Sequence, residues 1–130
     1  MRYLTIYQPA QPEGGAPPSQ EHMEAMGRFI EELASEGVLL QTDGLLPSSK
    51  GARVRLEKGE YTITDGPFTE SNELIAGYAI IDVASLEEAV ELTRRFLEVA
   101  GEGESEIRQM YDAPAYERDP IPGPEYPLAS

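Results

Sequence analysis

An α+β fold, one layer of strands carrying two helices, is what the sequence predicts, and three observations predict it. Met23 to Leu33 and Leu86 to Leu97 carry apolar residues at helical spacing, while the stretches around them alternate as strands do. The two kinds of stretch follow one another as strand, helix, strand, hairpin, strand, helix, strand. At 130 residues the chain has the length of a single domain, enough to bury roughly two-thirds of its unfolded surface.

Tyr3 to Gln8 reads as a strand, because Leu4 and Ile6 alternate with Tyr3, Thr5 and Tyr7 and leave one aliphatic and one aromatic, hydroxylated face. Pro9 to Pro18, with four prolines and two glycines, is a loop ending at Ser19, a helix N-cap. Met23, Met26, Phe29, Ile30 and Leu33 then form the apolar stripe of a helix that Gly37 stops. Val38 to Leu46 is a strand of mixed polarity. Arg53 to Glu57 and Tyr61 to Thr64 form a hairpin turning at Lys58-Gly59-Glu60. Leu74 to Val83, the most apolar run, is a central strand. Ser85 with Glu88 opens a second helix as a capping box, with Leu86, Ala89, Val90, Thr93, Phe96 and Leu97 as its buried stripe, ending near Gly101. Glu104 to Tyr111 is the last strand.

This order is a βαββαβ plan with an inserted β-hairpin, the pattern of a ferredoxin-like α+β sandwich with both helices on one sheet face. Two helices cannot cover both faces. With Tyr3, Thr5, Tyr7, Tyr78 and Ile80 assigned to the second face, so many exposed aromatics would mark an interface, and burial against a second copy is the expectation.

A net charge of −14 repels phosphate backbones and argues against direct nucleic-acid binding. The chain has no cysteine, which removes disulfides, thiolate catalysis and cysteine-based zinc sites. No apolar run reaches transmembrane length and no signal-peptide pattern opens the chain, so no membrane partner and a cytoplasmic location are expected. A single histidine and no calcium-loop spacing leave no metal cluster, and no dinucleotide fingerprint calls for a cofactor. Asp112 to Ser130, with five prolines, reads as a tail outside the domain of residues 1–111, with Tyr116, Ile121, Tyr126 and Leu128 as the residues able to dock it.

Asp65-Gly66-Pro67-Phe68 is a turn in which Gly66 permits positive φ and Asp65 can accept from following amides; alternatively, Asp65 is a general base. Pro47-Ser48-Ser49-Lys50-Gly51, leading to Arg53, gathers donors that suit a carboxylate or phosphate ester, or else caps its own turn. Arg53 and Arg55 share one side of their strand, where cross-strand acids would also account for them. His22 reads as an exposed residue in the first helical turn.

Asp65 to Glu70, Pro47 to Arg55 and Glu73 to Tyr78 together resemble the YCII-related proteins, also called DGPF-domain proteins. The resemblance spans residues 1–111. It implies sheet-to-sheet homodimers, a dimeric α+β barrel with a cleft at each sheet, and frequent company of alternative sigma factors. Relatives carry a histidine held to act with an aspartate; His22 does not match its position, to which Met26 or Phe29 lies nearer. That leaves Asp65 and Tyr78 as candidates for catalysis and Ser48, Ser49, Lys50, Arg53, Asp43 and Glu73 for holding a small anionic ligand. Two functions follow: a ligand-binding or accessory protein, or an acid/base enzyme acting on a small organic acid or cyclic ester.

Overall fold

In a computed structural model the described residues are 1–13, 17–68 and 74–111. Strand β1 (Arg2–Pro9) leads to helix α1 (Gln20–Ser35), strand β2 (Leu39–Gly44), a one-turn 3-10 helix (Ser48–Lys50) and strands β3 (Ala52–Glu57) and β4 (Glu60–Asp65). Strand β5 (Gly77–Asp82), helix α2 (Leu86–Ala100) and strand β6 (Gly103–Gln109) complete the described chain. Four strands form one antiparallel sheet in the order β2-β5-β1-β6, and β3 and β4 form a separate two-stranded sheet. The architecture of the described residues is α+β with two helices and antiparallel sheets, compatible with a ferredoxin-like plan. The tail residues proposed to dock, Tyr116, Ile121, Tyr126 and Leu128, lie outside the described residues, as does Glu73.

The faces of β1 are the reverse of the expectation. Tyr3 and Ile81, each 3% exposed, form the core with fully buried Ala89 of α2, joined by Leu39, Leu92 and Ile107. Tyr7 meets Phe96 of α2 edge-on, with ring centroids 5.2 Å apart and planes at 86°. Tyr3, Thr5 and Tyr7 therefore face the helices, and their cross-strand partners Ile81, Ala79 and Gly77 share that face. A tyrosine can serve a core when its ring is buried and its hydroxyl reaches a partner; the Tyr7 hydroxyl donates to the Gly101 and Glu102 carbonyls, both at 3.2 Å. Leu4, Ile6, Tyr78 and Ile80 occupy the opposite face by strand alternation.

The helices begin where their caps dictate. The Ser19 hydroxyl accepts from the His22 amide at 3.1 Å, and the Ser85 hydroxyl from the Glu88 amide at 3.2 Å. Glu88 returns the bond one residue beyond the N-cap, its carboxylate accepting from the Ala84 amide at 3.0 Å. Gly37 at φ +76° and Gly101 at φ +106° end the two helices in conformations that favour glycine. Phe29 and Leu33 carry the buried stripe of α1, and Ala89 and Thr93 that of α2. Leu86 and Val90, expected in that stripe, are exposed, because the contact face of α2 turns toward Leu92 and Phe96. An Arg95–Glu32 ion pair of 3.3 Å joins the helices at the surface.

The strands are shorter than the apolar runs that announce them. β2 stops at Gly44, where Gly44 pairs with Gly77, and β5 starts at Gly77 rather than Leu74. Lys58 (φ +50°) and Gly59 (φ +81°) make the two-residue turn of the β3–β4 hairpin, whose positive φ angles match the twist of its strands. On one side of the hairpin Val54 faces Ile63 and Leu56 faces Tyr61, all between 61% and 72% exposed.

Candidate functional site

Small residues on the sheet open a cavity beneath the helices. Thr5, Thr42, Gly77 and Ala79 project too little to meet α1 and α2, so a space of about 810 Å³ remains between the sheet and the side chains of Phe29, Leu33, Leu92 and Phe96. Gly77 is itself constrained, since a Cβ there would lie 3.1 Å from the Asp43 carbonyl. Such a volume, mostly apolar with a few fixed polar groups, is what small-molecule sites have in common.

The cavity's hydroxyls are anchored on backbone. Thr42 donates to the Tyr78 carbonyl at 2.8 Å and Thr93 to the Ala89 carbonyl at 2.8 Å. Thr5 points at the Ala79 carbonyl across 3.4 Å. Burial of Tyr7 raises its phenol pKa, because the phenolate would lose hydration there. His22, read as an exposed helix-start residue, is half-buried and lines the cavity with Ser19, one turn before Met26. The spacing His22, Met26, Phe29, Leu33 places it on the helix's inner stripe, a signal present in the sequence.

The residues expected to grip an anion gather elsewhere, at the base of the hairpin. Ser48 offers its amide at 2.7 Å and its hydroxyl at 2.6 Å to the two carboxylate oxygens of Glu13, from the loop after β1. The same hydroxyl accepts from the Phe68 amide at 3.0 Å, and the Gly66 amide donates to the Gly51 carbonyl at 3.0 Å. The donors of this turn thus hold the protein's own carboxylate, and Glu13 is a member of the cluster that the sequence reading missed. Arg53 lies 3.9 Å above the Phe68 ring. Ser49, Lys50 and Asp65 are exposed, with Asp65 opposite Ala52 at the end of β4. Gly66 does not use the positive φ open to it; a Cβ there would collide with the Ser48 carbonyl, so close packing demands the glycine. The Gly66–Pro67 bond is cis.

Asp43 and Tyr78 come together on the sheet face opposite α1 and α2. Gln41 donates to the Tyr78 hydroxyl at 2.7 Å, and that hydroxyl donates to Asp43 at 3.2 Å. None of Ser48, Ser49, Lys50, Arg53 and Asp65 lines the cavity under the helices. Among the described residues no group of three or more His, Cys, Asp or Glu is placed to hold a metal ion, and no helix is long and apolar enough to cross a membrane.

The fold and the recess define a small α+β protein with a helix-covered antiparallel sheet and an apolar pocket. The family model of the YCII-related domain matches residues 1–112, and the chain belongs to that family. It is also similar to an uncharacterized protein, R00369, of Rhizobium meliloti (strain 1021), at 42% identity over 50 residues. That match takes in 38% of this chain and 40% of the relative, so the chain spans well under two-thirds of the relative's length.

Proposed function

We propose that this YCII-related protein binds a small molecule in the recess between its helices and its sheet, as a ligand-binding or accessory protein. The single observation that supports this most is the cavity of about 810 Å³, floored by Thr5, Thr42, Gly77 and Ala79 where larger residues would have filled the space. An accessory role beside alternative sigma factors would use the same ligand as its signal. Acid/base chemistry is the second reading, favoured by the placement of the His22 imidazole on the cavity wall.

Pairing of two copies belongs to the same proposal, with the β3–β4 hairpin as an insertion in the βαββαβ plan and the two sheets closing a barrel. Leu4, Ile6, Tyr78 and Ile80 form its contact face, and their side of the sheet has no helix among the described residues.

The test is titration with Nile red, a neutral dye that brightens in apolar surroundings, against the wild type and Ala79→Leu, which fills the floor. Saturable binding to the wild type, lost in a variant with unchanged circular dichroism, is expected. Absence of saturable binding, or equal binding by the folded variant, refutes the reading.

A further inference from the structure

The chemical class of the ligand follows from how the cavity's hydroxyls spend their protons, an inference that rests on the cavity being a binding site. A hydroxyl has one proton to donate and two lone pairs with which to accept. Thr42 and Thr93 each commit that proton to a backbone carbonyl at 2.8 Å, Tyr7 divides its proton between two carbonyls at 3.2 Å, and Thr5 aims its own at Ala79 across 3.4 Å. What these four hydroxyls leave for a bound molecule is a set of lone pairs.

Charge is equally restricted. No lysine or arginine among the described residues lines the cavity. Asp43 contributes to the wall, but strand alternation turns its carboxylate to the opposite sheet face, where it accepts from Tyr78 at 3.2 Å. His22 and Ser19 supply side-chain donors, and Ser19 is exposed, its oxygen already accepting from the His22 amide at 3.1 Å. A carboxylate driven into this space would face the lone pairs of Thr5, Tyr7, Thr42 and Thr93 with no lysine or arginine to offset its charge, and an ammonium could donate to those lone pairs but would find no carboxylate to neutralise it. Burying either charge costs far more than burying a neutral hydroxyl that finds an acceptor.

From this we infer that the ligand is a neutral, mostly apolar molecule whose polar groups are hydrogen-bond donors, such as a phenol or an alcohol on a ring system. The small anion anticipated from Ser48, Lys50 and Arg53 has a different chemistry and a different place, a turn whose Ser48 donors already hold Glu13.

Four compounds sharing one ring system test the inference on the intact protein by calorimetric titration: naphthol, naphthalene, naphthoate and naphthylmethylammonium. Naphthol is expected to bind tightest, roughly tenfold ahead of naphthalene, the worth of one net hydrogen bond, with both ions weaker still. Thr42→Val and Thr93→Val, which keep the shape and remove the acceptor, should narrow the gap between naphthol and naphthalene. Tightest binding by either ion, or equal binding of naphthol and naphthalene, overturns the inference and leaves the cavity a ligand site. Saturable binding by none of the four overturns the cavity reading and the inference together.

Discussion

Glu13 and Ser48 stand 35 positions apart and meet through two short hydrogen bonds, the serine amide and hydroxyl donating to the two oxygens of one carboxylate at 2.7 and 2.6 Å. The Ser48 hydroxyl also accepts from Phe68, so a single serine ties the loop after β1, the 3-10 turn and the chain following β4.

Replacing Glu13 by Ala should therefore lower stability by about 1–2 kcal/mol, less than a fully buried charged hydrogen bond because the site is only partly buried. Ser48→Ala should cost a similar amount, and the double variant less than the sum of the two. Urea denaturation measures all three; strict additivity would mean that the two residues do not act as one unit.

Gly66→Ala brings a methyl group against the Ser48 carbonyl, a backbone atom that cannot rotate aside. A loss of about 1–3 kcal/mol is expected, the usual cost of overpacking. Gly27→Ala is the control, since its added carbon meets nothing within 4 Å in the middle of α1 and should stabilise the helix by about 1 kcal/mol. Equal melting temperatures for the two variants would contradict this account of the turn.

Tyr7 gives stability a defined alkaline slope. Burial raises its folded-state pKa above the usual 10.0, while the unfolded chain keeps that usual value. Below pH 10.0 both states hold the proton and the contribution is constant; above it the unfolded state ionises first, so stability falls as pH rises through the folded pKa. The difference in urea midpoint between wild type and Tyr7→Phe isolates this effect and should shift against the wild type only on the alkaline side.

Ile80→Glu places a charge among Leu4, Ile6 and Tyr78 on the sheet face opposite α1 and α2. If two copies meet there, wild type at tens of micromolar should scatter light as a dimer and the variant as a folded monomer, a standard interface being stable well below that concentration. A monomeric wild type would end the pairing proposal.

Local signals announced most of the elements. Ser19, Ser85, Gly37 and Gly101 marked helix ends because a cap is a transaction among neighbouring residues, and Lys58-Gly59 marked a hairpin for the same reason. The alternation in β1 showed two unlike faces but carried no information on which would meet the helices; that choice depends on carbonyls at Gly101 and Glu102, more than ninety positions away, that receive the Tyr7 proton. Gly66 was legible as a required glycine, while its reason, contact with Ser48, lies in tertiary packing. The cavity was hardest to foresee, because it is made by what Gly77 and Ala79 lack. His22 was within reach of sequence reasoning, since its spacing from Met26, Phe29 and Leu33 already put it on the inner face of α1.

The β3–β4 hairpin sets a second level of order within the chain. Its cross-strand pairs Val54–Ile63 and Leu56–Tyr61 are open to water, so its ladder has little apolar burial to hold it closed, whereas β1 lies between two neighbours over a buried core. Amide protons of residues 52–65 will exchange with solvent through local opening, far sooner than those of Tyr3 to Tyr7, which wait for the four-stranded sheet itself to come apart. The molecule can lose one sheet while keeping the other.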